Sequence, residues 1–335
     1  MPIITSKYKA PLLFQNGHWA SIYPSVFRSI KGIQTTRERI TTPDNDFLDL
    51  DWSKKGQDKL ILVLHGLEGD ASRPYVQGMM KLFNQHGYDG VGMNFRGCSG
   101  EMNRTLQMYH SGEIRDVSFV LEHIGEQYNY KEIVLIGFSL GGSITLNYVG
   151  RKGATVHPLL KKAIAVSTPI DLVKSATGLD EGKFNNSVYV RRFLKKLNEK
   201  VAIKEAQFPG TFDVKAIQQH TTFYGFDDAV TAKVHGFANA LDYYTKASSL
   251  PFLGNISIPT YILSAKNDSF LSDPSYPYAI AATNPNIYLE VPEKGGHVGF
   301  PQFGKNEIYY AEERALGKKK EIISHNIIPF LLSLD

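Results

Sequence analysis

One short segment constrains the fold of this chain more than any other. Residues Glu132 to Gly142 read as an apolar strand that runs directly into a Gly-x-Ser-x-Gly turn centred on Ser139. Such an elbow strains the serine backbone and crowds its neighbours, so glycine is what the geometry requires at Gly137 and Gly141. The motif alone is weak, since three fixed positions recur by chance in roughly one glycine-rich chain in ten. The strand before it and the helical run Ile144 to Val149 after it supply the missing context, and predict a serine exposed above a helix N-terminus.

Size and composition are those of an ordinary folded protein. The 335 residues are 42% hydrophobic and 21% charged, which suits one α/β domain with an insertion or two modest domains. The net charge of +4 is small for this length, and basic pairs such as Lys195-Lys196 are interpreted as solvated helix faces. No nucleic-acid partner is therefore expected.

The single cysteine and the lack of long apolar runs bear on the compartment. Cys98 alone allows neither an intrachain disulfide nor a cysteine-based metal cage, which fits a reducing environment. Residues 1–14 lack the continuous apolar core of a signal peptide, and no run approaches the length of a membrane span. We expect a cytoplasmic protein with no integral membrane segment. Its oligomeric state is left open.

The order of apolar and amphipathic segments predicts the fold class. Continuous apolar strands alternate with helical segments from Lys59 to Thr168, and the alternation resumes at Thr260. This pattern indicates a parallel sheet that is covered on both faces. Two earlier strands, Gln34 to Thr41 and Phe47 to Trp52, flank a turn. We therefore predict an α/β fold, with a mostly parallel doubly wound sheet, an N-terminal antiparallel pair and a helical cap insertion.

The same pattern divides the chain into an arm, a core and a cap. Residues 1–32 lack strong periodicity and are expected to wrap the core as an extended N-terminal arm. Residues 33–170 and 251–335 are assigned to the core, which ends in a closing helix over Ile322 to Leu332. Residues 171–250 are polar, mostly helical in pattern and too long for a loop, so they are predicted to form the cap.

A nucleophilic serine needs a base, and the base needs an acid that orients it. Asp268 follows the predicted strand at Thr260, and His297 follows the next strand in a loop with two glycines. Taken singly, such an Asp is usually a helix cap and such a His a surface residue. Both residues follow strand ends in the chain order serine, acid, histidine of the α/β-hydrolase scaffold. We predict that Ser139, Asp268 and His297 form a catalytic triad.

Backbone N–H groups are the expected partners of the reacting oxygen. The first core strand ends in a glycine-lined turn, His65 to Gly69, where the N–H of Leu67 can reach the serine. Together with the N–H of Leu140, it is predicted to form an oxyanion hole. His65 could be mistaken for the base, but we assign it the structural role of bracing this turn.

Several other polar residues have both a functional and a structural interpretation. Arg96 and the segment around Ser111 could line a substrate pocket. We favour a structural interpretation, in which Arg96 pairs with Glu113 or Asp116 and Ser111 caps the following helix. The aromatic residues of the cap could face an apolar substrate, although packing within the cap is favoured. Asp227 is interpreted as part of a solvated turn.

With these residues in place, the chain resembles the YheT-like branch of the α/β-hydrolases, also called AB hydrolase family 4. The resemblance extends from about Leu60 to Phe300 and implies a serine carboxylesterase or lipase-like fold, in which Ser139, Asp268 and His297 match the family's triad. The acid loop departs from the family's two acids and a proline, because Asn precedes and Ser follows Asp268. The matching blocks are His65 to Gly69, Asn94 to Gly100, Tyr109 to Glu113, Gly137 to Gly142 and Gly295 to Phe300.

These observations lead to one main hypothesis and two alternatives. The hypothesis is a serine hydrolase that cleaves small-molecule carboxylic esters through an acyl-enzyme, with neither a cofactor nor a metal ion. Short- to medium-chain acyl groups are expected from the aromatic cap. Acyl transfer to an alcohol would use the same intermediate, and a non-catalytic receptor would use the same pocket. The resemblance adds that some eukaryotic members are linked to phospholipid or acylglycerol hydrolysis, and others to acyl transfer.

Overall fold

The structure, a computed structural model, describes residues 3–303 and 308–317, and one mixed sheet runs through this part of the chain. Its nine strands are β1 (Ile3–Ile4), β2 (Thr36–Thr41), β3 (Phe47–Ser53), β4 (Lys59–Leu64), β5 (Asp89–Asn94), β6 (Glu132–Phe138), β7 (Leu160–Val166), β8 (Thr260–Leu263) and β9 (Ile287–Glu290). They lie in the order β1-β9-β8-β7-β6-β4-β5-β3-β2. Strand β3 is antiparallel to β2 and β5, and the other neighbours are parallel. The predicted α/β class and antiparallel pair are confirmed.

Helices cover both faces of the sheet. The α-helices of the described residues are α1 (Gly17–Phe27), α2 (Pro74–Asn84), α3 (Arg115–Gln127), α4 (Leu140–Lys152), α5 (Leu172–Glu181), α6 (Lys183–Asn185), α7 (Arg191–Gln207), α8 (Val214–Ile217), α9 (Phe223–Phe226), α10 (Ala232–His235), α11 (Ala240–Ala247), α12 (Tyr278–Thr283) and α13 (Tyr310–Leu316). Side chains of a strand alternate between faces, so Leu60 and Leu62 of β4 pack with α3 and α4. Ile61 and Val63 pack with α2 and α13 on the other face. Both faces of the central strands are therefore buried.

The N-terminal segment differs from the extended arm expected from the sequence. Strand β1 pairs with the edge strand β9, but residues 17–27 form helix α1. The Asn16 side chain caps this helix by accepting a hydrogen bond from the Trp19 N–H at 3.1 Å. Pro24 lies inside the helix and lowers its intrinsic stability, so its packing against the core must compensate. The expectation of an extended chain was wrong over these residues.

The segment between β7 and β8 holds helices α5 to α11 and two π-helical turns, Asn186–Val190 and Asp227–Thr231. Its side chains form an apolar cluster of their own, which includes Leu194, Val201 and Phe226. The division into arm, core and cap remains a prediction. The predicted closing helix over Ile322 to Leu332 lies outside the described residues. In the part of the chain described, no helix has both the length and the apolar character needed to cross a membrane.

Candidate active site

The turn between β6 and α4 has the strained geometry predicted for the Gly-x-Ser-x-Gly elbow. Ser139 has φ 53° and ψ −119°, a conformation that residues with a Cβ rarely adopt. A Cβ on Gly137 would lie 2.2 Å from the Gly141 oxygen, and one on Gly141 would lie 2.5 Å from the His65 oxygen. Any other residue at either position would push the strand away from the helix, so the two glycines allow the elbow to close.

Three side chains from distant parts of the chain form a continuous row of hydrogen bonds. The Oγ of Ser139 lies 2.8 Å from His297 Nε2, and His297 Nδ1 lies 2.9 Å from Asp268 Oδ2. The Asp268 side chain is fully buried, whereas 11% of the His297 side chain is exposed. A carboxylate can only accept, so the bonding assigns the proton to Nδ1 and leaves Nε2 to accept from the serine hydroxyl.

Contacts that the sequence analysis missed hold His297 in place. Its backbone N–H donates to Ser21 Oγ of helix α1 at 2.7 Å, and the next N–H, that of Val298, donates to Ser167 Oγ at 2.8 Å. The Phe270 ring stacks on the imidazole, with centroids 4.0 Å apart and planes 13° apart. These contacts fix both the loop and the plane of the ring.

The turn after β4 is braced from inside the protein, as predicted for His65. The Nε2 of this buried histidine accepts a hydrogen bond from the Phe95 N–H at 3.1 Å, and its Nδ1 lies 2.7 Å from the Gly66 oxygen. Burial lowers the pKa of His65 to about 4, so the ring is neutral at pH 7. Glu68 completes the turn with φ 52°, and its N–H donates to the Tyr109 hydroxyl at 2.9 Å.

The two predicted oxyanion donors lie at this turn and at the elbow. Leu140 is the first residue of α4, so its N–H has no acceptor within the helix. Among the described residues, no hydrogen bond joins the N–H of Leu67 or of Leu140 to an acceptor. Both residues line the space beside Ser139. Two unpaired donors next to a serine hydroxyl are suited to an oxygen that gains negative charge.

Two cavities meet at Ser139 and His297, which line both of them. The first, here called the cap cavity, has mostly apolar walls. Its walls include Leu172, Leu179, Leu197, Phe223, Phe226 and Val230. The second, here called the basic cavity, opens between α1, α2 and α7. The positively charged residues that line it are Arg28, Arg73, Arg192 and Lys196. Phe223 and Phe226, two aromatic residues of the predicted cap, line the cap cavity and also belong to the apolar cluster between β7 and β8.

The structure also tests the predictions made for other polar residues. Arg96 pairs with Asp116 at 2.7 Å, as predicted. Ser111 does not cap α3, which begins at Arg115, and its N–H instead donates to the Tyr243 hydroxyl at 3.3 Å.

Asp227 is not part of a solvated turn, because the π-helical turn places it in the wall of the cap cavity. Burial raises its pKa to about 6. Within the described residues, no cluster of three or more His, Cys, Asp or Glu could hold a metal ion.

A serine at a strand–helix elbow, hydrogen-bonded to a histidine and an acid from later strand ends, is the arrangement of an α/β-hydrolase. The family model described as "alpha/beta hydrolase fold" matches residues 59–303, and the chain belongs to this family.

Individual relatives support the same assignment. "Putative esterase YheT" of Escherichia coli K12 is 35% identical over 293 residues, which cover 86% of this chain and 85% of that protein. Human "Phospholipase ABHD3" is 27% identical and aligns over 89% of this chain and 75% of that protein. The Pyrococcus furiosus esterase Pf2001 shares the fold, with a TM-score of 0.52 and 19% identity over 81% of this chain and 89% of that one. The resemblance inferred from the sequence is confirmed.

Proposed function

We propose that this protein is a serine hydrolase that cleaves carboxylic esters through an acyl-enzyme intermediate. The observation that carries the proposal is the row of hydrogen bonds from Ser139 through His297 to Asp268, at 2.8 and 2.9 Å. The names of the relatives, which include an esterase, a phospholipase and a monoacylglycerol lipase, agree with chemistry on esters.

Each member of the site has one role in this mechanism. His297 Nε2 takes the proton of Ser139 as its Oγ attacks the ester carbonyl, and Asp268 stabilises the imidazolium that forms. The N–H groups of Leu67 and Leu140 donate to the tetrahedral oxyanion, and one such donor contributes about 3 kcal/mol. The intermediate collapses as His297 protonates the departing alcohol. Water, deprotonated by the same histidine, then releases the acid from the serine.

The cap cavity is the proposed site for the acyl group. Its apolar walls exclude water from the chain and gain free energy from each methylene that they bury. We propose short- to medium-chain acyl groups, and a panel of p-nitrophenyl esters with two to sixteen acyl carbons measures this. A peak of kcat/KM between four and ten carbons is expected, whereas a rise up to sixteen carbons would contradict it.

The mechanism is tested by Ser139→Ala with p-nitrophenyl butyrate. The alanine variant has no nucleophile, so kcat is expected to fall by a factor of roughly 10⁴ or more. Ser143→Ala is the matched control: it lies one turn later on α4, where its Oγ donates to the Pro169 oxygen at 2.9 Å. The control is expected to retain activity within a few-fold. A folded Ser139→Ala variant with unchanged turnover would contradict the mechanism.

Product analysis separates hydrolysis from its alternatives. Water is the proposed acceptor of the acyl group, so free acid should dominate when ethanol is added at up to about 1 M. Predominant formation of the ethyl ester would assign the protein to acyl transfer. Tight binding of esters without any turnover by the wild-type protein would instead assign it to ligand sensing.

A further inference from the structure

Helix α7 carries a basic residue at every fourth position along one side, from Arg192 through Lys196 and Lys200 to Lys204. The last two have partners inside the protein. The Nζ of Lys204 donates to two backbone oxygens at 2.7 and 2.6 Å, and that of Lys200 lies 2.8 Å from the carboxylate of Glu68. Arg192 and Lys196 instead line the basic cavity. The predicted solvated face thus includes the exposed Lys195, whereas Lys196 is half-buried at the edge of this cavity.

Two cationic side chains of the basic cavity converge on one oxygen. Lys196 Nζ and Arg73 Nη2 donate to the backbone oxygen of Glu68, at 3.2 and 3.1 Å. This oxygen is neutral, so it does not compensate their charges. Arg73 lies 3.9 Å from Asp70, and no ion pair within 4.0 Å joins Arg192 or Lys196 to a carboxylate of the described residues. The neighbouring carboxylates therefore do not balance the positive charge of Arg73, Arg192 and Lys196.

The environment of Lys196 agrees with this excess. Burial, together with the neighbouring charges of Arg73 and Arg192, lowers its pKa, although Glu68 and Asp70 oppose the effect. The carboxylate of Glu68 is already paired with Lys200. An anion bound among these cations would relieve their repulsion.

The two cavities at Ser139 both have mainly apolar linings, and they differ in the charged residues that they carry. The cap cavity offers apolar side chains to an acyl chain. The basic cavity reaches the same serine and histidine and carries Arg73, Arg192 and Lys196. With the acyl chain in the cap cavity, the basic cavity is left for the departing alcohol, and its lining includes the three cations. The N-terminus of α2, at Pro74, lines this cavity too and adds a partial positive charge.

We propose that the substrate is an ester whose alcohol part carries a phosphate monoester, held by Arg73, Arg192 and Lys196. This inference rests on the proposed function. A phosphate monoester carries a charge of about −1.5 to −2 at pH 7 and several acceptor oxygens, which match three cations around one cavity better than a single carboxylate does. The same chemistry occurs in a lysolipid headgroup and in a small phosphorylated alcohol.

Two esters with the same acyl chain test the proposal: 1-octanoylglycerol 3-phosphate and 1-octanoylglycerol. The phosphate ester is expected to have a kcat/KM at least tenfold higher at low ionic strength, and the ratio should shrink in 0.5 M NaCl because salt screens the attraction. In Arg192→Ala/Lys196→Ala the ratio should fall about tenfold, chiefly through the KM of the phosphate ester. Arg191→Ala/Lys195→Ala is the matched control, since it removes the same charge from α7 at residues that line a separate groove. Its ratio should equal that of the wild type.

Equal kcat/KM values for the two esters in the wild-type protein would overturn the proposal. An equal loss of the ratio in both double variants would also overturn it, because the effect would then reflect net charge alone. Failure to cleave any ester, p-nitrophenyl butyrate included, would refute the proposed function instead. Dissolved 1-butanoylglycerol 3-phosphate and micellar 1-palmitoylglycerol 3-phosphate distinguish the sources. If the phosphate is preferred in the dissolved butanoyl ester, the site is assigned to small phosphorylated alcohols. If the preference is confined to the micellar palmitoyl ester, the site is assigned to a lipid headgroup.

Discussion

Asp268 illustrates how a single buried charge can set the chemistry of a site. Its carboxylate accepts from His297 Nδ1 and so keeps Nε2 available to the serine. Asp268→Asn preserves shape but supplies an amide, which favours the other tautomer of the ring. We expect kcat for p-nitrophenyl butyrate to fall by roughly 10³ to 10⁴. Asp273→Asn, in the same loop and outside the proposed triad, is the control and should change kcat less than threefold. A comparably small change in Asp268→Asn would contradict its role.

Asp227 gives a second residue-scale prediction, on pH and stability. Burial raises the pKa of Asp227 from 3.8 to about 6. Between pH 3.8 and about 6, its carboxyl group is therefore mostly protonated in the folded protein and mostly ionised in the unfolded chain. Its contribution to stability is therefore present at low pH and is lost as the pH rises through about 6. Asp227→Asn cannot ionise. The unfolding free energy of the variant, relative to the wild type, should increase from pH 4 to pH 7.5 in urea titrations. A difference that stays constant with pH would contradict the assignment.

The three hydrogen-bonded residues of the proposed triad could be selected from the sequence because each one follows a strand. Ser139 is marked by its glycines, and Asp268 and His297 follow later strands in the expected order. Ser21 and Phe270 could not be predicted in the same way. Ser21 lies 276 residues before His297 and accepts a hydrogen bond from its backbone N–H, and Phe270 stacks on its ring. No local sequence pattern encodes such contacts.

At the scale of elements, helix α1 forms one wall of the site. Its start packs so closely on the acid loop that a Cβ on Gly17 would lie 2.0 Å from the Asn267 oxygen. Asn267 Oδ1 in turn accepts a hydrogen bond from the Gly296 N–H at 3.0 Å. The helix therefore connects the loops that carry Asp268 and His297, which gives the N-terminal segment a part in positioning them.

Ser21→Ala tests this role of α1. The substitution removes the acceptor of the His297 N–H, and loss of one such bond costs about 1 kcal/mol. We expect kcat/KM for p-nitrophenyl butyrate to fall about fivefold, while the thermal midpoint changes by only a few degrees. Ser29→Ala, at an exposed position just beyond the helix, should have no effect. Equal activity of the two variants would show that α1 does not position the histidine.

The sequence signal for α1 is weak for a physical reason. Asn16 is a good helix cap, but Gly17 and Pro24 both lower helix propensity and interrupt the apolar periodicity. The helix depends on tertiary contacts, which a single sequence does not display. Strand β4, in contrast, is a continuous apolar run, and its position in the sheet was predictable from that run.

At the scale of the whole molecule, Arg96 joins three elements near the antiparallel edge of the sheet. Its guanidinium lies 2.7 Å from Asp116 of α3, and 2.6 and 3.3 Å from Asp44 and Asp46 in the turn between β2 and β3. Asp46 and Asp116 are buried, and both pair with this cation. The ion pair predicted from sequence was only one part of this network, because the turn is distant in sequence.

Arg96→Met measures the contribution of this network. The variant leaves buried carboxylates without their cation, and breaking a buried ion pair costs about 3–5 kcal/mol. Urea unfolding at pH 7 should give a loss of that size in unfolding free energy. Arg115→Met, whose side chain is 71% exposed and pairs with Glu113, should lose less than about 1 kcal/mol. A similarly small loss in Arg96→Met would contradict the structural role.

The central claim is that the Ser139 hydroxyl is an activated nucleophile, and covalent labelling measures this directly. A fluorophosphonate probe should add one equivalent to the wild-type protein, and peptide mass spectrometry should locate the adduct on Ser139 alone. Ser139→Ala should remain unlabelled, and His297→Ala should react at least a hundredfold more slowly. An adduct on any other residue, or no adduct on a folded protein that cleaves esters, would contradict the account.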